Sequence, residues 1–549
     1  MGGLSAIDLF CGAGGLSAGF LQEGFEIALG IDADEPSVET FEANFGEGRA
    51  VHADLLKYTA EDALRDAGGR DIDVILGGPS CQPFSTHGRN KPWVVGDPRS
   101  DLWSRMHSFV EVLRPRAFVM ENVPGMLYYE KGNFVDILKA EFGRLGYTLT
   151  HEILLAADYN VPQLRRRLIV VGILGDEPFE YPEAPRLGGW RRDSLAKWEA
   201  ERIERNKLPH ITLTEALGAL PAAVRPGQPA YYTSQRATTE YDAYMRTHWK
   251  DVPERGAGKA SRRRRVYDHE VVPIIPEVAE LAVHVPPGGT WRDIPPHLLP
   301  DRFRSMRRTD GTNLYGRMTW DRPAYTMTTQ FQNITTGCFI HPDETRPLTV
   351  REGARAQSFS DDFVFKGALS SKVTQIGNAV PPLLARALAR QLSAMLNGVP
   401  ASERKPVVVG PEKYRGEAVP GGAAAAEAMR SSGRHDDAAV DALARYLEEN
   451  GHRVELRQPV KGLEVVPDIV LKGEKSALFV QGCFIYGCPQ HNRNTKSQSV
   501  WWAGDIARRK RRREAEVRAL EDAGWLVEVA WEHEAPAAVV ERLELALTA

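Results

Sequence analysis

Short apolar runs alternate with amphipathic stretches through the first third of the chain, and each run ends in a glycine turn or near an acid. Ser5 to Phe10 reads as a strand, and Cys11-Gly12-Ala13-Gly14-Gly15 turns into a helix from Leu16 to Glu23. Glu26 to Ile31 reads as a second strand ending at Asp32. A helix to about Asn44 follows, Asp54 closes the next element, and Val74 to Leu76 and Ala117 to Met120 supply two further strands. This alternation predicts an α/β fold with a doubly wound sheet, its ligand crevice at the strand ends. The glycine-rich turn and the acid after the second strand suit a ligand whose ribose hydroxyls need an acceptor, although the full dinucleotide-binding spacing is absent.

A chain of 549 residues exceeds one ordinary core, which predicts about three domains. Its 69 basic and 73 acidic residues leave a net charge of -4, so attraction to a polyanion must come from local clustering. Five cysteines, no signal-peptide-like opening and no apolar run of membrane-spanning length predict a soluble cytoplasmic protein with reduced thiols and no membrane partner.

Cys81 lies in Gly77-Gly78-Pro79-Ser80-Cys81-Gln82-Pro83, directly after one of these strands. Open α/β sheets place reacting groups on such turns; a buried, inert thiol is the alternative. Its company comprises Asp8-Leu9-Phe10-Cys11-Gly12-Ala13-Gly14-Gly15, Glu121-Asn122-Val123 and Gln163-Leu164-Arg165-Arg166-Arg167. Arg351-Glu352 with Arg355, and Gln375-Ile376-Gly377-Asn378-Ala379-Val380-Pro381-Pro382, complete the set. In this order the motifs resemble those of DNA cytosine-5 methyltransferases of the prokaryotic restriction-modification type, over residues 4 to 396.

The resemblance implies a Rossmann-like methyltransferase sheet in residues 1–174, an inserted small target-recognition domain in 175–365, and a final motif, 366–396, returning to the catalytic domain. It makes Cys81 the nucleophile at cytosine C6 and Glu121 the acid at N3. Arg165 and Arg167 would hold the thiolate and the target nucleotide. Cytosine C5 is a poor nucleophile until a thiolate adds beside it, and the base must leave the duplex stack to be reached. S-adenosyl-L-methionine is the implied cofactor. Phe10 and Gly12 fall near its methionine, with Gly14 in the same turn, Asp32 on the ribose and Asp54 on the adenine, and Leu102 and Asn378 line the site. Ala33 stands where the family can carry an aromatic stacked on the adenine. The implied partners are duplex DNA and a separately encoded restriction endonuclease, and the implied state is a monomer in a prokaryotic cytoplasm.

Between Gly175 and about Arg317 the alternation fades into a stretch rich in Arg, Trp, Tyr and Pro, including Arg262-Arg263-Arg264-Arg265. Basic residues interleaved with aromatics suit phosphate and base contacts, while a solvated loop is the other reading of the four arginines.

Residues 397–433 read as a linker, loaded with Pro, Gly and Ala. A second unit, 434–549, opens with a helix burying Val440, Leu443, Ala444 and Leu447 and continues with strands. Pro467-Asp468-Ile469-Val470, Phe479-Val480-Gln481-Gly482-Cys483-Phe484 and Trp531-Glu532-His533-Glu534 resemble the very-short-patch mismatch repair endonucleases. This implies a C-terminal α/β restriction-endonuclease-like domain with Asp468 as the metal-binding catalytic acid. Gln481, Ile485 and Tyr486 depart from that family, which favours a degenerate, DNA-binding unit over a magnesium-dependent nuclease. Cys483, Cys488, His491 and His533 match its structural zinc ligands. A bifunctional methyltransferase and nicking or restriction endonuclease, and a non-enzymatic DNA-binding protein on an inactive scaffold, are the alternatives.

Overall fold

The computed structural model describes residues 3–79, 102–127, 134–188, 202, 205, 207–232, 237–247, 265–304, 306, 311–409, 436–456, 458, 460, 463, 465–481, 513, 514, 516–531 and 533–548. The chain divides into two compact units, 1–419 and 420–549.

Unit 1 is built on β1 (Ser5–Leu9), β2 (Glu26–Asp32), β3 (Ala50–His52), β4 (Val74–Gly77), β5 (Ala117–Asn122), β6 (Tyr147–Leu155), β7 (Gln163–Leu164) and β8 (Arg166–Leu174). Seven of these form one sheet in the order β3-β2-β1-β4-β5-β8-β6. β1 to β5 run parallel, and β8 lies antiparallel between β5 and β6. β1, β4 and β5 are buried at every position, as strands covered by helices on both faces must be. Strand order reverses beside β1, which puts the crevice at the carboxyl ends of β1 and β4.

The strands alternate with α1 (Gly15–Gln22), α2 (Glu35–Phe45), α3 (Ala60–Asp66), α4 (Leu102–Leu113) and α5 (Phe134–Arg144). Asp34 caps α2 by accepting from the Ser37 N–H at 3.1 Å, and Thr59 and Asp62 form a capping box on α3. β5 extends two residues beyond the expected Met120, so Glu121 and Asn122 belong to the strand itself. The antiparallel β8 holds them there, pairing Glu121 with Ile169 and Asn122 with Leu168.

Residues after β8 form short elements: α6 (Leu213–Leu217), β9 (Ala230–Tyr231), α7 (Glu240–Arg246), β10 (Arg265–Val266), β11 (Gly316–Arg317), β12 (Ala324–Tyr325) and β13 (Cys338–Ile340). They share one apolar core with the sheet, in which Leu213, Tyr241, Trp291 and Phe331 join Ala6, Leu16 and Val74. α8 (Val350–Ala356), α9 (Leu369–Asn378) and α10 (Pro382–Leu396) complete the unit. α10 lies against α1, where a Cβ at Gly19 would strike the Arg386 backbone and the Ala385 side chain. The stretch expected as linker runs along this unit as far as Val409. Asn160 Nδ2 donates to the Val407 carbonyl at 2.8 Å, and both valines are buried.

Unit 2 carries α11 (Asp436–Glu449), β14 (Val454–Leu456), β15 (Ile469–Leu471), β16 (Ser476–Gln481), β17 (Leu526–Trp531) and α12 (Pro536–Thr548). Its sheet follows the order β14-β15-β16-β17, antiparallel except for the parallel β16–β17 pair. Alternation along β16 sends Leu478 and Val480 to a core with α11 and α12, and Ala477 and Phe479 to a second core with Leu520. The expected face of α11 is the one buried.

Candidate active site

The first turn is shaped by backbone. Phe10 and Gly12 both adopt left-handed conformations, at φ 60° and 53°, and Asp32 Oδ2 accepts from the Gly12 N–H at 2.8 Å. Among the described residues, and leaving out its chain neighbours, no atom lies within 4 Å of the point a Cβ on Gly12 would occupy. Gly14 has a different task. It starts α1 at φ 86°, and a Cβ there would strike the rings of Phe41 and Phe45. Burial raises the Asp32 carboxyl, whose two oxygens accept from Gly12 and Asp34 and retain lone pairs for hydroxyl donors.

The other expected cofactor residues stand at the ends of their own elements. Asp54 is exposed just after β3, and its Oδ1 accepts from the Leu56 N–H at 3.0 Å. Leu102 begins α4, which Arg105 ties to the segment after Asp54 by donating to the carbonyls of Leu55 at 2.8 Å and Tyr58 at 3.3 Å. Asn378 ends α9, and the following Ala379 and Val380 pack on Gly15 at the head of α1. An open glycine turn held by the Asp32 carboxylate, which keeps lone pairs for hydroxyl donors, fits the ribose of an adenosyl group.

On the neighbouring strand ends, Glu121 Oε1 forms an ion pair with Arg167 Nε at 2.7 Å, both side chains nearly buried. Asn122 Nδ2 donates to the Pro79 carbonyl at 3.1 Å, tying the segment that leads to Cys81 onto the end of β5. A Cβ on Gly78 would lie 3.6 Å from Glu121 Oε2. Cys81 itself lies outside the described residues. Of the described cysteines, Cys11 and Cys338 are both buried and burial pushes both thiols up, which suits neither to act as a thiolate.

Arg165 was expected at the thiolate and the nucleotide. It is 1% exposed, and two of its guanidinium nitrogens donate to the carbonyls of Met327 at 3.0 Å and Gly377 at 3.1 Å. Beside it Gln163 accepts from the Met327 N–H at 2.9 Å and donates to the Ala356 carbonyl and Gln357 Oε1, each at 3.0 Å. These two side chains join β7 and the start of β8 to Met327, to the end of α8 and to α9. Gln163 was visible in its motif without a role; Gln357 and Arg105 carried no signal in the sequence.

The Arg351-Glu352-Arg355 motif is buried. Arg355 bridges Asp242 at 2.9 Å and Asp361 at 2.8 Å, and Glu352 takes a paired contact from Arg346 at 2.8 and 2.9 Å. Arg351 donates to the carbonyls of Tyr267, Ser360 and Phe363. The turn it fixes presents Tyr267, half exposed, with the Arg265 guanidinium 4.9 Å from its ring centroid and Tyr231 exposed on the partner strand. Arg262, Arg263 and Arg264 lie outside the described residues.

In unit 2, Asp468 Oδ2 accepts from the Val480 N–H at 2.8 Å, and Gln481 ends β16. His533 is exposed just after β17, while Cys483, Cys488, His491, Ile485 and Tyr486 lie outside the described residues. No cluster of three metal-ligating side chains occurs among the described residues. No described helix is long and apolar enough to cross a membrane.

Comparison with known proteins bears on residues 4–394, which match the family described as C-5 cytosine-specific DNA methylase. The Type II methyltransferase M1.HphI of Haemophilus parahaemolyticus is 30% identical over 393 residues, 71% of this chain and 87% of that protein. The Type II methyltransferase M.AgeI of Thalassovita gelatinovora is 29% identical over 438 residues, 72% of this chain and all of that protein. An Escherichia coli crystal structure described as a prophage-encoded DNA modification methyltransferase superposes with a TM-score of 0.52 at 22% identity. That match covers 72% of this chain and 99% of its own and supports the fold.

Proposed function

We propose a mechanism for a chain that belongs to the C-5 cytosine-specific DNA methylases and is a DNA cytosine-5 methyltransferase. Its substrate is a specific sequence in duplex DNA, and its cofactor is S-adenosyl-L-methionine. Phe10, Gly12, Asp32, Asp54, Leu102 and Asn378 would hold the cofactor, which supplies an electrophilic methyl when bound. Cys81 adds as a thiolate to C6 of a flipped cytosine, which makes C5 nucleophilic. Glu121 faces the base and exchanges a proton at N3, while Arg167 holds the Glu121 carboxyl in place. After methylation, loss of the C5 proton expels Cys81 and leaves 5-methylcytosine. Arg165 acts at one remove, by fixing the strand that carries Arg167.

The observation carrying this reading is the Glu121–Arg167 pair beside the Asn122–Pro79 tie, which brings the acid to the segment entering Cys81. Arg265, Tyr267 and Tyr231 form an exposed basic and aromatic face of the kind that target recognition needs. For unit 2 we read a degenerate, DNA-binding nuclease-like domain with zinc on Cys483, Cys488, His491 and His533. Support comes from Gln481, which stands where the resembled family has histidine or aspartate, and from the Asp468 carboxylate engaged by a backbone N–H.

Bisulfite sequencing of DNA methylated by the purified chain names the target. A duplex carrying 5-fluorocytosine at that site then traps a covalent adduct, because fluorine blocks the final elimination. Cys81→Ser is expected to abolish the adduct and retain DNA binding. An adduct formed by Cys81→Ser would overturn the nucleophile.

A further inference from the structure

The crevice at the end of β2 has a rim that the mechanism has not used. β2 and β3 pair in parallel so that Asp32 stands beside His52, and the chain turns immediately after, with the Ala53 N–H donating to the Asp32 carbonyl at 2.9 Å. His52 is exposed, yet its ring is not left to wander: Nε2 donates to the carbonyl of Ala33 at 3.0 Å. Ala33, also exposed, carries only a methyl, so no side chain of its own crowds this place. Asp54 follows two residues later on the same lip. A nucleoside whose ribose rests on Asp32 would extend its base along the strand ends toward β3, where the ring of His52 stands at the position paired with Asp32.

We propose that His52 is a cofactor-contacting residue whose imidazole provides a flat wall for the adenine of S-adenosylmethionine beside Ala33. The inference rests on the reading of this crevice as the cofactor site. The hydrogen bond to Ala33 anchors one edge of the ring and leaves its faces for stacking, a contact that does not depend on the identity of the base edge. A purely structural role, capping the Ala33 carbonyl at the end of an edge strand, needs the N–H donor and not the ring. The two roles therefore separate by substitution.

The test is calorimetric titration of the full-length chain with S-adenosylhomocysteine, alongside the KM for S-adenosylmethionine. His52→Ala is expected to weaken binding about fivefold or more and to raise KM at unchanged kcat. His52→Phe, which keeps a ring but cannot donate, is expected to stay within about twofold of wild type. His52→Gln, which can donate but has no ring, should behave like His52→Ala. Wild-type affinity in His52→Ala, or retention by His52→Gln with loss in His52→Phe, would overturn the proposal. Failure of the wild-type chain to bind S-adenosylhomocysteine would instead overturn the cofactor reading, and this inference with it.

Discussion

Beneath the first turn, Asp8 is held almost out of reach of water at 1% exposure, its Oδ2 accepting from the Ser17 hydroxyl at 2.5 Å. Burial, with a smaller push from Asp32, drives its carboxyl up to about 7 against the opposing Ser17 hydrogen bond. The ordinary value is 3.8. A carboxyl raised on folding stabilises fully below its unfolded value, and the contribution is lost as pH rises through the folded value. Asp8→Asn, which cannot ionise, should therefore gain on wild type between pH 5 and pH 8. The expected relative gain is on the order of 2 kcal/mol in chemical denaturation. A difference between the two proteins that stays flat with pH would contradict this. The position of Asp8 in its motif was legible from the sequence. Its protonation was not, because the neighbours that exclude water come from α1 and β2 and are not encoded in the motif itself.

The strand and helix order around the crevice could be read directly, since the runs at Ser5, Glu26, Val74 and Ala117 are apolar enough to specify buried strands. What could not be read was the antiparallel β8, whose pairing with β5 carries that strand on through Glu121 and Asn122. Nor could sequence separate Arg165 from Arg167: two residues apart, one is buried on backbone carbonyls and the other pairs with Glu121. Arg165→Met, similar in length and unable to donate, strands the carbonyls of Met327 and Gly377. Each buried carbonyl left without a donor costs about 1–3 kcal/mol, so a stability loss of several kcal/mol is expected. Denaturant titration measures it; a loss below about 1 kcal/mol would mean that Arg165 is not the tie described.

Each of the two units has its own buried core, so calorimetry of the whole chain should resolve separate unfolding transitions. Leu478, fully buried on β16, offers the cleanest probe. Leu478→Ala is expected to destabilise one transition by about 2–5 kcal/mol and leave DNA methylation unchanged. Movement of both transitions together would show that the units unfold as one. The region between β8 and α8 lacks such independence. Gln163 and Arg165 grip Met327, β12 pairs with β7, and Arg355 of α8 holds Asp242 and the Ala216 carbonyl. On the proposed reading of the Tyr231, Arg265 and Tyr267 face as the target-recognition surface, a graft of another enzyme's specificity therefore has few safe seams. The transplant boundaries must fall inside these anchors, so that the host keeps its own stitches and the donor supplies only the outer face around Tyr231, Arg265 and Tyr267.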